Sequence, residues 1–395
     1  MARGAELPIN PEVLRWARES VGMEVAQVAD RLGKPAEKYA ERYAAWERGA
    51  AQPSVSYLEK LAATFKLPIA AFFLPSPPKE PPLPTDYRRR AGAAAGKLGV
   101  EAIHAIRRLR SIQGFLYECT EAGLLKRSAA WSVLQKQEAL PPKEARTLLG
   151  LEFESQRQWT GHYHAFRELR ALLESAGVFT IQASLPKGGF AGLSLFDPHV
   201  PMILLNRSES TKARVFTMAH ELAHLLRGGD SICEPELEPP PRARTRDPER
   251  VEQECNQFAA EFLVPTDCFE AELDAAGVPV YEADGTVGDA LLAALHNVFS
   301  VSKHVILLRL LEQSHINRGD YQQTIESWKT RPEERPAGGR GERTHVRAVH
   351  EVGRGIIAIA LEAQQAGLIT TADVVQMLRV QVGQLDDLMG EVASG

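Results

Sequence analysis

Apolar residues recur at helical spacing along most of this chain and predict a largely helical protein. Near the N-terminus, Val28, Ala29 and Leu32 predict a short helix, residues 33–35 a turn, and residues 39–46 a second helix that ends before a glycine. The helical pattern is equally clear from about residue 98 to residue 176. It therefore predicts a helical module at the start of the chain and a helical region after it.

The pattern changes in the middle of the chain, where short apolar runs predict strands at 178–183, 190–196 and 201–206. Helical spacing then returns, and a pair of helices is predicted to close the chain, the second beginning with a capping-box-like start near Thr370. The predicted fold class is α+β, mostly helical, with a small β-sheet and a C-terminal helical segment.

The strongest chemical signal is the sequence His-Glu-x-x-His at His220, Glu221 and His224, inside an apolar helical run. Two histidines four residues apart lie on the same face of a helix and can bind one metal ion. Zinc suits such ligands, and it leaves a position for water when the protein supplies three of them. Glu221 points away from the pair and is predicted to take a proton from that water.

Two acidic residues could supply the third ligand. Glu252 borders the apolar stripe of a second predicted helix, and Asn256 one turn later could hold a liganding imidazole in place. Asp230, six residues after His224, is the alternative, since another class of zinc peptidase places its ligand there. That class requires a glycine at position 227, where this chain has arginine, so Glu252 is the favoured ligand.

The segments 202–206, 214–224 and 252–265, with the glycine-rich 189–195, resemble the ImmA/IrrE family of metallopeptidases over about residues 165 to 320. This resemblance implies Zn²⁺ held by His220, His224 and Glu252, with Glu221 as the base. It also implies cleavage of a helix-turn-helix repressor, which several family members carry out. The chain departs from the family at residue 255, which is cysteine instead of the usual alanine, and at residue 264, which is valine instead of methionine.

Residues 8 to 75 resemble an Xre-type helix-turn-helix domain, although the stretch between Gly33 and Trp46 is longer than usual. Proline-rich and glycine-rich stretches mark further boundaries. The predicted organisation is a helix-turn-helix domain at 1–75, a proline-rich linker at 76–97, a helical connecting region at 98–175, a metallopeptidase domain at 176–325 with a loop at 235–248, a flexible tether at 326–343 and a C-terminal helical domain at 344–395.

Charge bears on whether the first module binds duplex DNA. Residues 1–75 hold ten Lys/Arg and nine Asp/Glu, whereas a phosphate-binding surface is usually basic. Lys34, Lys38 and Arg42 form an i, i+4, i+8 row that could face a groove, although acidic residues interleave with it. A denser basic tract between Arg88 and Arg110 could instead grip nucleic acid or an acidic partner.

Composition narrows the class of protein. A net charge of −5, the lack of an apolar run approaching about twenty residues and four cysteines without CxxC spacing predict a cytoplasmic protein with no membrane span and no disulfides. Cys233, near the metal-binding helix, is predicted to be a plain core or loop thiol, with a redox-sensitive role as the alternative.

Two functions fit these features. One is a zinc endopeptidase that cleaves a protein partner, a helix-turn-helix repressor, in a stress, phage or toxin–antitoxin response, with residues 190–196 as an edge strand for the substrate. The other is a DNA-binding regulator or antitoxin-like partner of a co-encoded toxin, whose zinc domain is a sensor with little catalysis. An intact Glu221 favours the peptidase, because a purely structural zinc site has no need of a base.

Overall fold

The computed structural model describes residues 8–86, 98–136, 140–186, 190–233, 248–329 and 343–393. The chain divides into two compact units, the first made of residues 1–83 and 96–108 and the second of residues 84–95 and 109–395. Helix α5 (Val100–Glu121) begins in the first unit and ends in the second. Each unit has a core of its own.

The first unit is a bundle of short helices. Its elements are α1 (Pro11–Ser20), α2 (Val25–Leu32), α3 (Ala36–Glu47), α4 (Val55–Phe65), a 3₁₀ turn (Ile69–Phe73) and the first residues of α5. Leu14, Val28, Tyr43 and Leu58 are fully buried in its core. The two helices and the turn predicted over residues 28–46 are present as α2, α3 and the residues between them.

A buried ion pair fixes α3 within this bundle. Arg18 of α1 donates from Nε to Glu47 Oε1 at 2.7 Å and from Nη2 to Glu47 Oε2 at 3.1 Å. Both side chains are about one-tenth exposed, at 12% and 8%. A bidentate ion pair constrains orientation as well as distance, so it fixes the orientation of the solvent-facing side of α3 within the bundle.

The second unit contains the sheet and most of the helices. Up to residue 233 its elements are β1 (Thr85–Asp86), the end of α5, α6 (Ala129–Leu134), α7 (Pro142–Leu149), α8 (Phe153–Arg157), α9 (His162–Ser175), β2 (Phe179–Ala183), β3 (Gly192–Leu195), β4 (Met202–Asn206), α10 (Thr211–Leu226) and β5 (Ser231–Cys233). After these come α11 (Pro248–Leu263), α12 (Thr266–Ala276), α13 (Asp289–Phe299), α14 (Lys303–Glu312), α15 (Arg318–Lys329), α16 (Thr344–Val352), α17 (Arg354–Gln365), α18 (Thr371–Leu378), a 3₁₀ turn (Val382–Gln384) and α19 (Leu385–Ala393).

The sheet has the strand order β1-β5-β3-β4-β2, with β3 antiparallel to both of its neighbours and the two outer pairs parallel. The three predicted strands are therefore confirmed. The expectation that residues 190–196 form an edge strand is wrong, because β5 pairs with the side of β3 that β4 leaves open. An extended substrate cannot add to β3 while β5 occupies that side.

Helix α10 lies at the centre of this unit, against α9, α11 and the strands β3 and β4. Every residue from Val215 to Leu226 is buried. A helix that is apolar on all sides belongs inside a core, and any polar side chain on it needs a partner there. The polar exceptions in this run are Thr217, His220, Glu221 and His224.

Within the second unit, the C-terminal segment packs against α9 and β2. Arg170 Nη1 and Gln182 Nε2 both donate to the carbonyl of His350 in α16, at 3.0 and 2.5 Å. The closing segment contains four α-helices instead of the predicted pair, and the capping box at Thr370 is present. The fold is α+β and mostly helical, as predicted.

The described helices include none that is long and apolar enough to span a membrane alone; α13 and α14, which meet at 104°, pass that test only as a pair.

Candidate metal centre

Helix α10 brings two imidazoles together. Ser210 caps the helix by accepting a hydrogen bond from the Ala213 amide at 3.2 Å, which fixes where the helical register begins. One turn separates His220 from His224, and their Nε2 atoms lie 3.1 Å apart. The two residues are 0% and 3% exposed. Two ring nitrogens that face each other inside a core form a pair of donors for a metal ion.

Helix α11 adds a carboxylate. Glu252 places Oε1 2.9 Å from His224 Nε2 and Oε2 3.4 Å from His220 Nε2. Burial would raise the pKa of Glu252, but the two histidines lower it by more, to about 2. For His220, burial lowers the pKa and the Glu252 carboxylate raises it by more, so it lies above the ordinary value. Each group thus favours the charge of the other.

The fourth member of the group is Cys233, at the end of β5. Its Sγ lies 3.1 Å from His224 Nε2 and 3.5 Å from Glu252 Oε1. The four donor atoms of His220, His224, Cys233 and Glu252 all lie within 4.8 Å of one another, and Cys233 is 0% exposed. Burial, followed by the nearby carboxylates, raises the pKa of this thiol well above its ordinary value.

This donor set fits zinc. Ligand atoms bound about 2.0–2.3 Å from a tetrahedral ion lie about 3.3–3.8 Å from one another. Five separations between donor atoms of this group run from 2.9 to 3.5 Å, within that range or slightly below it. Imidazole, carboxylate and thiolate are the ligand types that zinc takes in proteins. The group could therefore hold one zinc ion with little rearrangement.

Glu221 lies beside the cluster, with one carboxylate oxygen hydrogen-bonded and the other without a hydrogen bond among the described residues. Ser231 donates to Glu221 Oε2 at 2.6 Å, and Ser194 lies 2.6 Å from the Ser231 hydroxyl. Glu221 Oε1 is buried and has no hydrogen-bond partner among the described residues. Burial raises the pKa of Glu221, with the neighbouring histidines and Ser231 opposing it. A carboxylate with a raised pKa and a bare oxygen is suited to accept a proton.

Gly192 makes room for this arrangement. A Cβ atom at this position would lie 2.4 Å from Glu221 Oε1 and 2.4 Å from Thr217 Cγ2. No real side chain tolerates such contacts, so β3 can approach α10 this closely only with glycine there. The same residue pairs with Cys233 in the ladder between β3 and β5.

The remaining residues predicted for the site lie as follows. Asp230 accepts a hydrogen bond from the Phe196 amide at 2.7 Å, and it is not in the group of four. Asn256, one turn after Glu252, is among the side chains that raise the pKa of His220. The amide is thus next to the imidazole that it was predicted to hold.

Sequence reasoning missed Cys233 as a member of the cluster. It was predicted to be a plain core or loop thiol, and the core part of that prediction holds. The three residues of β5 are too few to show a strand period. The available signal was a cysteine only nine residues after His224. A turn followed by a short strand within those nine residues is enough to bring the cysteine back to the histidine.

The basic row predicted on the first unit is divided between two elements. Lys38 and Arg42 are exposed on α3, whereas Lys34 lies in the turn before it and pairs with Asp30 Oδ1 at 2.6 Å. Lys34 is therefore outside the helix that carries the other two members of the row, because α2 ends at Leu32 and α3 starts at Ala36. Arg42 donates to the Tyr57 hydroxyl at 2.7 Å and lies over that ring.

Several predicted features fall outside the described residues. These are Arg88–Arg90 and Lys97 of the basic tract, residues 87–97 of the linker at 76–97, nearly all of the loop at 235–248, most of the tether at 326–343, and Gly189 of the glycine-rich stretch.

Comparison with protein families supports both units. Residues 173–311 match the family model described as the IrrE N-terminal-like domain, Peptidase_M78, and residues 14–72 match a helix-turn-helix model. The chain joins an Xre-type helix-turn-helix domain to an IrrE-like metallopeptidase domain. The IrrE-like domain contains all four residues of the metal-binding group, and the helix-turn-helix domain contains α3. Among curated proteins, no relative matches the chain.

Proposed function

We propose that the chain is a zinc-dependent regulatory endopeptidase. The bare Oε1 of Glu221, buried beside two histidines and a carboxylate, carries this proposal. A site that only stabilises a fold needs ligands, but it does not need a base held next to them. The match of residues 173–311 to a peptidase family model supports metallopeptidase activity, without identifying a substrate.

In this proposal His220, His224 and Glu252 hold the metal, and Asn256 positions His220. Bound zinc supplies a water of lowered pKa and polarises the scissile carbonyl. Glu221 accepts a proton at Oε1 and later delivers it to the leaving amine, while Ser231 keeps Oε2 in place. Burial of these residues excludes bulk water from the reacting atoms.

The proposed substrate is a protein partner, a helix-turn-helix transcriptional repressor, whose cleavage relieves repression in a stress, phage or toxin–antitoxin response. A helix-turn-helix domain on the same chain supports a regulatory setting, because it can bring the peptidase to duplex DNA or to a repressor. Lys38 and Arg42 on α3, with Lys34 before it, are the proposed contacts to DNA phosphates.

A second candidate is favoured by the fourth donor. A group of four ligands with a thiol is typical of closed zinc sites, so the domain could serve a DNA-binding regulator, or an antitoxin-like partner of a co-encoded toxin, as a sensor with little turnover. The difference between the two candidates lies in whether Glu221 is needed.

The test is Glu221→Gln in the full-length chain. This change keeps the size and polarity of the side chain and removes the base, so zinc content should stay near one per chain while cleavage of a co-encoded helix-turn-helix protein falls by a factor of about 100 or more. The chain's own residues 33–50 are a second substrate to examine, by mass spectrometry of the products.

Glu254→Gln is the matched control, because Glu254 lies on α11 in ion pairs with Arg227 and Arg250 and outside the metal-binding group. It should cleave as the native chain does. If Glu221→Gln fails to cleave but regulates its target genes as well as the native chain, proteolysis is dispensable and the sensor is the correct function. If Glu221→Gln still cleaves at the native rate, Glu221 is not the base.

A further inference from the structure

The cluster contains one donor more than a catalytic zinc site needs. Catalytic sites typically have three protein ligands and leave the fourth position to water, whereas structural sites use four. Here His220, His224 and Glu252 already make three. Cys233 Sγ stands 3.1 Å from one of these ligands and 3.5 Å from another, so its sulfur is directed at the same point as their donor atoms.

We propose that Cys233 is the fourth ligand of the metal and that it closes the site in this conformation of the chain. This inference rests on the proposed zinc site and adds a state in which the peptidase is latent. The position of Cys233 at the end of β5 is what brings its sulfur to the cluster.

The backbone of β3 holds Cys233 in place. Its carbonyl accepts a hydrogen bond from the Ala191 amide at 3.0 Å, and its Cα pairs with Gly192 in the antiparallel ladder. Two residues earlier on the same strand, Ser231 donates to Glu221, the proposed base. One short strand therefore fixes both the sulfur at the metal and the hydroxyl at the base.

Closure follows from burial as well as from coordination. His220, Glu221 and Cys233 are 0% exposed, and His224 is 3% exposed. In this proposal the sulfur fills the position that a water or a substrate carbonyl would take, so release of Cys233 precedes cleavage.

Cobalt provides a direct measurement of the ligand. The full-length chain, stripped of metal and loaded with Co²⁺, should show a thiolate-to-cobalt charge-transfer absorption in the near ultraviolet, since a coordinating thiol is deprotonated. Cys233→Ser and Cys233→Ala should lose this band and keep about one metal ion per chain, because three ligands remain. The serine variant guards against a packing defect in the alanine variant.

Cys255→Ala is the matched control. Cys255 is also fully buried, lies on the ligand helix α11 and is not in the group of four donors. This variant should keep the charge-transfer band. A native chain without the band, or a band that survives Cys233→Ser, would overturn the assignment of Cys233 as a ligand.

Cleavage measures the closure. The initial rate with zinc should rise about tenfold or more in Cys233→Ala, which corresponds to the removal of a barrier of about 1.4 kcal/mol, and should not change in Cys255→Ala. An active native chain whose rate is unaffected by Cys233→Ala would overturn the latent state. If the band depends on Cys233 but neither chain cleaves, the fourth ligand stands and the proposed peptidase function fails.

Discussion

At the scale of single residues, the choice between the two acidic residues gives a prediction about zinc content. Glu252→Ala removes an oxygen that lies 2.9 Å from His224 Nε2, so zinc per chain should fall to well below one after dialysis, as it should for His220→Ala and His224→Ala. Asp230→Ala removes only an acceptor for the Phe196 amide and should keep the metal. Metal analysis of the purified variants would reject the Glu252 assignment if these two results were exchanged.

Sequence spacing predicts only part of this cluster. His220 and His224 were predictable as a pair because four residues of helix determine their separation. Glu252 was predictable only as a choice against Asp230, because no local rule fixes which loop or helix returns to a metal. Cys233 was missed, since its place at the cluster depends on the pairing of β5 with β3.

At the scale of elements, the strength of each prediction follows the length of the pattern. The strands at 179–183, 192–195 and 202–206 have four or five buried residues each, and the runs that contain them were recognisable. The strands β1 and β5 have two and three residues and exist only through their partners. The wrong prediction that residues 190–196 form an edge strand has the same cause, because β5, which was not predicted, pairs with the open side of β3.

The close packing of β3 on α10 gives a prediction about stability. Gly192→Ala would put a methyl group 2.4 Å from both Glu221 Oε1 and Thr217 Cγ2, and the free energy of unfolding should fall by about 1–3 kcal/mol. Zinc affinity and cleavage should fall with it, because Glu221 must move. Denaturant titration of the zinc-loaded chain measures the first effect.

Gly114→Ala is the control for this change. Gly114 lies in α5, it is exposed, and a Cβ there would meet nothing within 4 Å. Alanine should stabilise the helix by about 0.5–1 kcal/mol and leave the metal site unchanged. Equal stability losses in the two variants would mean that the approach of β3 to α10 is not what requires glycine at position 192.

At the scale of the whole molecule, two units with separate cores carry two different kinds of chemistry. Their existence was predictable, because a helix-turn-helix pattern and a metal-binding pattern lie in separate parts of the sequence. The packing of α16 on β2 was not, since it joins residues more than 160 positions apart through a backbone carbonyl. Such a contact leaves no periodic signal in the sequence.

This division predicts that DNA binding and metal binding can be removed one at a time. Lys38→Glu reverses an exposed charge on α3, so the full-length chain should bind duplex DNA more weakly. The slope of the logarithm of the binding constant against the logarithm of the salt concentration should become shallower by about one unit or more. Zinc content should not change in this variant. Glu252→Ala should lower the zinc content and leave DNA binding unchanged.

Lys126→Glu, at an exposed lysine outside residues 14–72, is the control for net charge and should leave both DNA binding and zinc content intact. DNA binding that Lys38→Glu and Arg42→Glu leave unaltered would remove α3 as the contact, and no binding at low salt would mean that the helix-turn-helix domain recognises a protein.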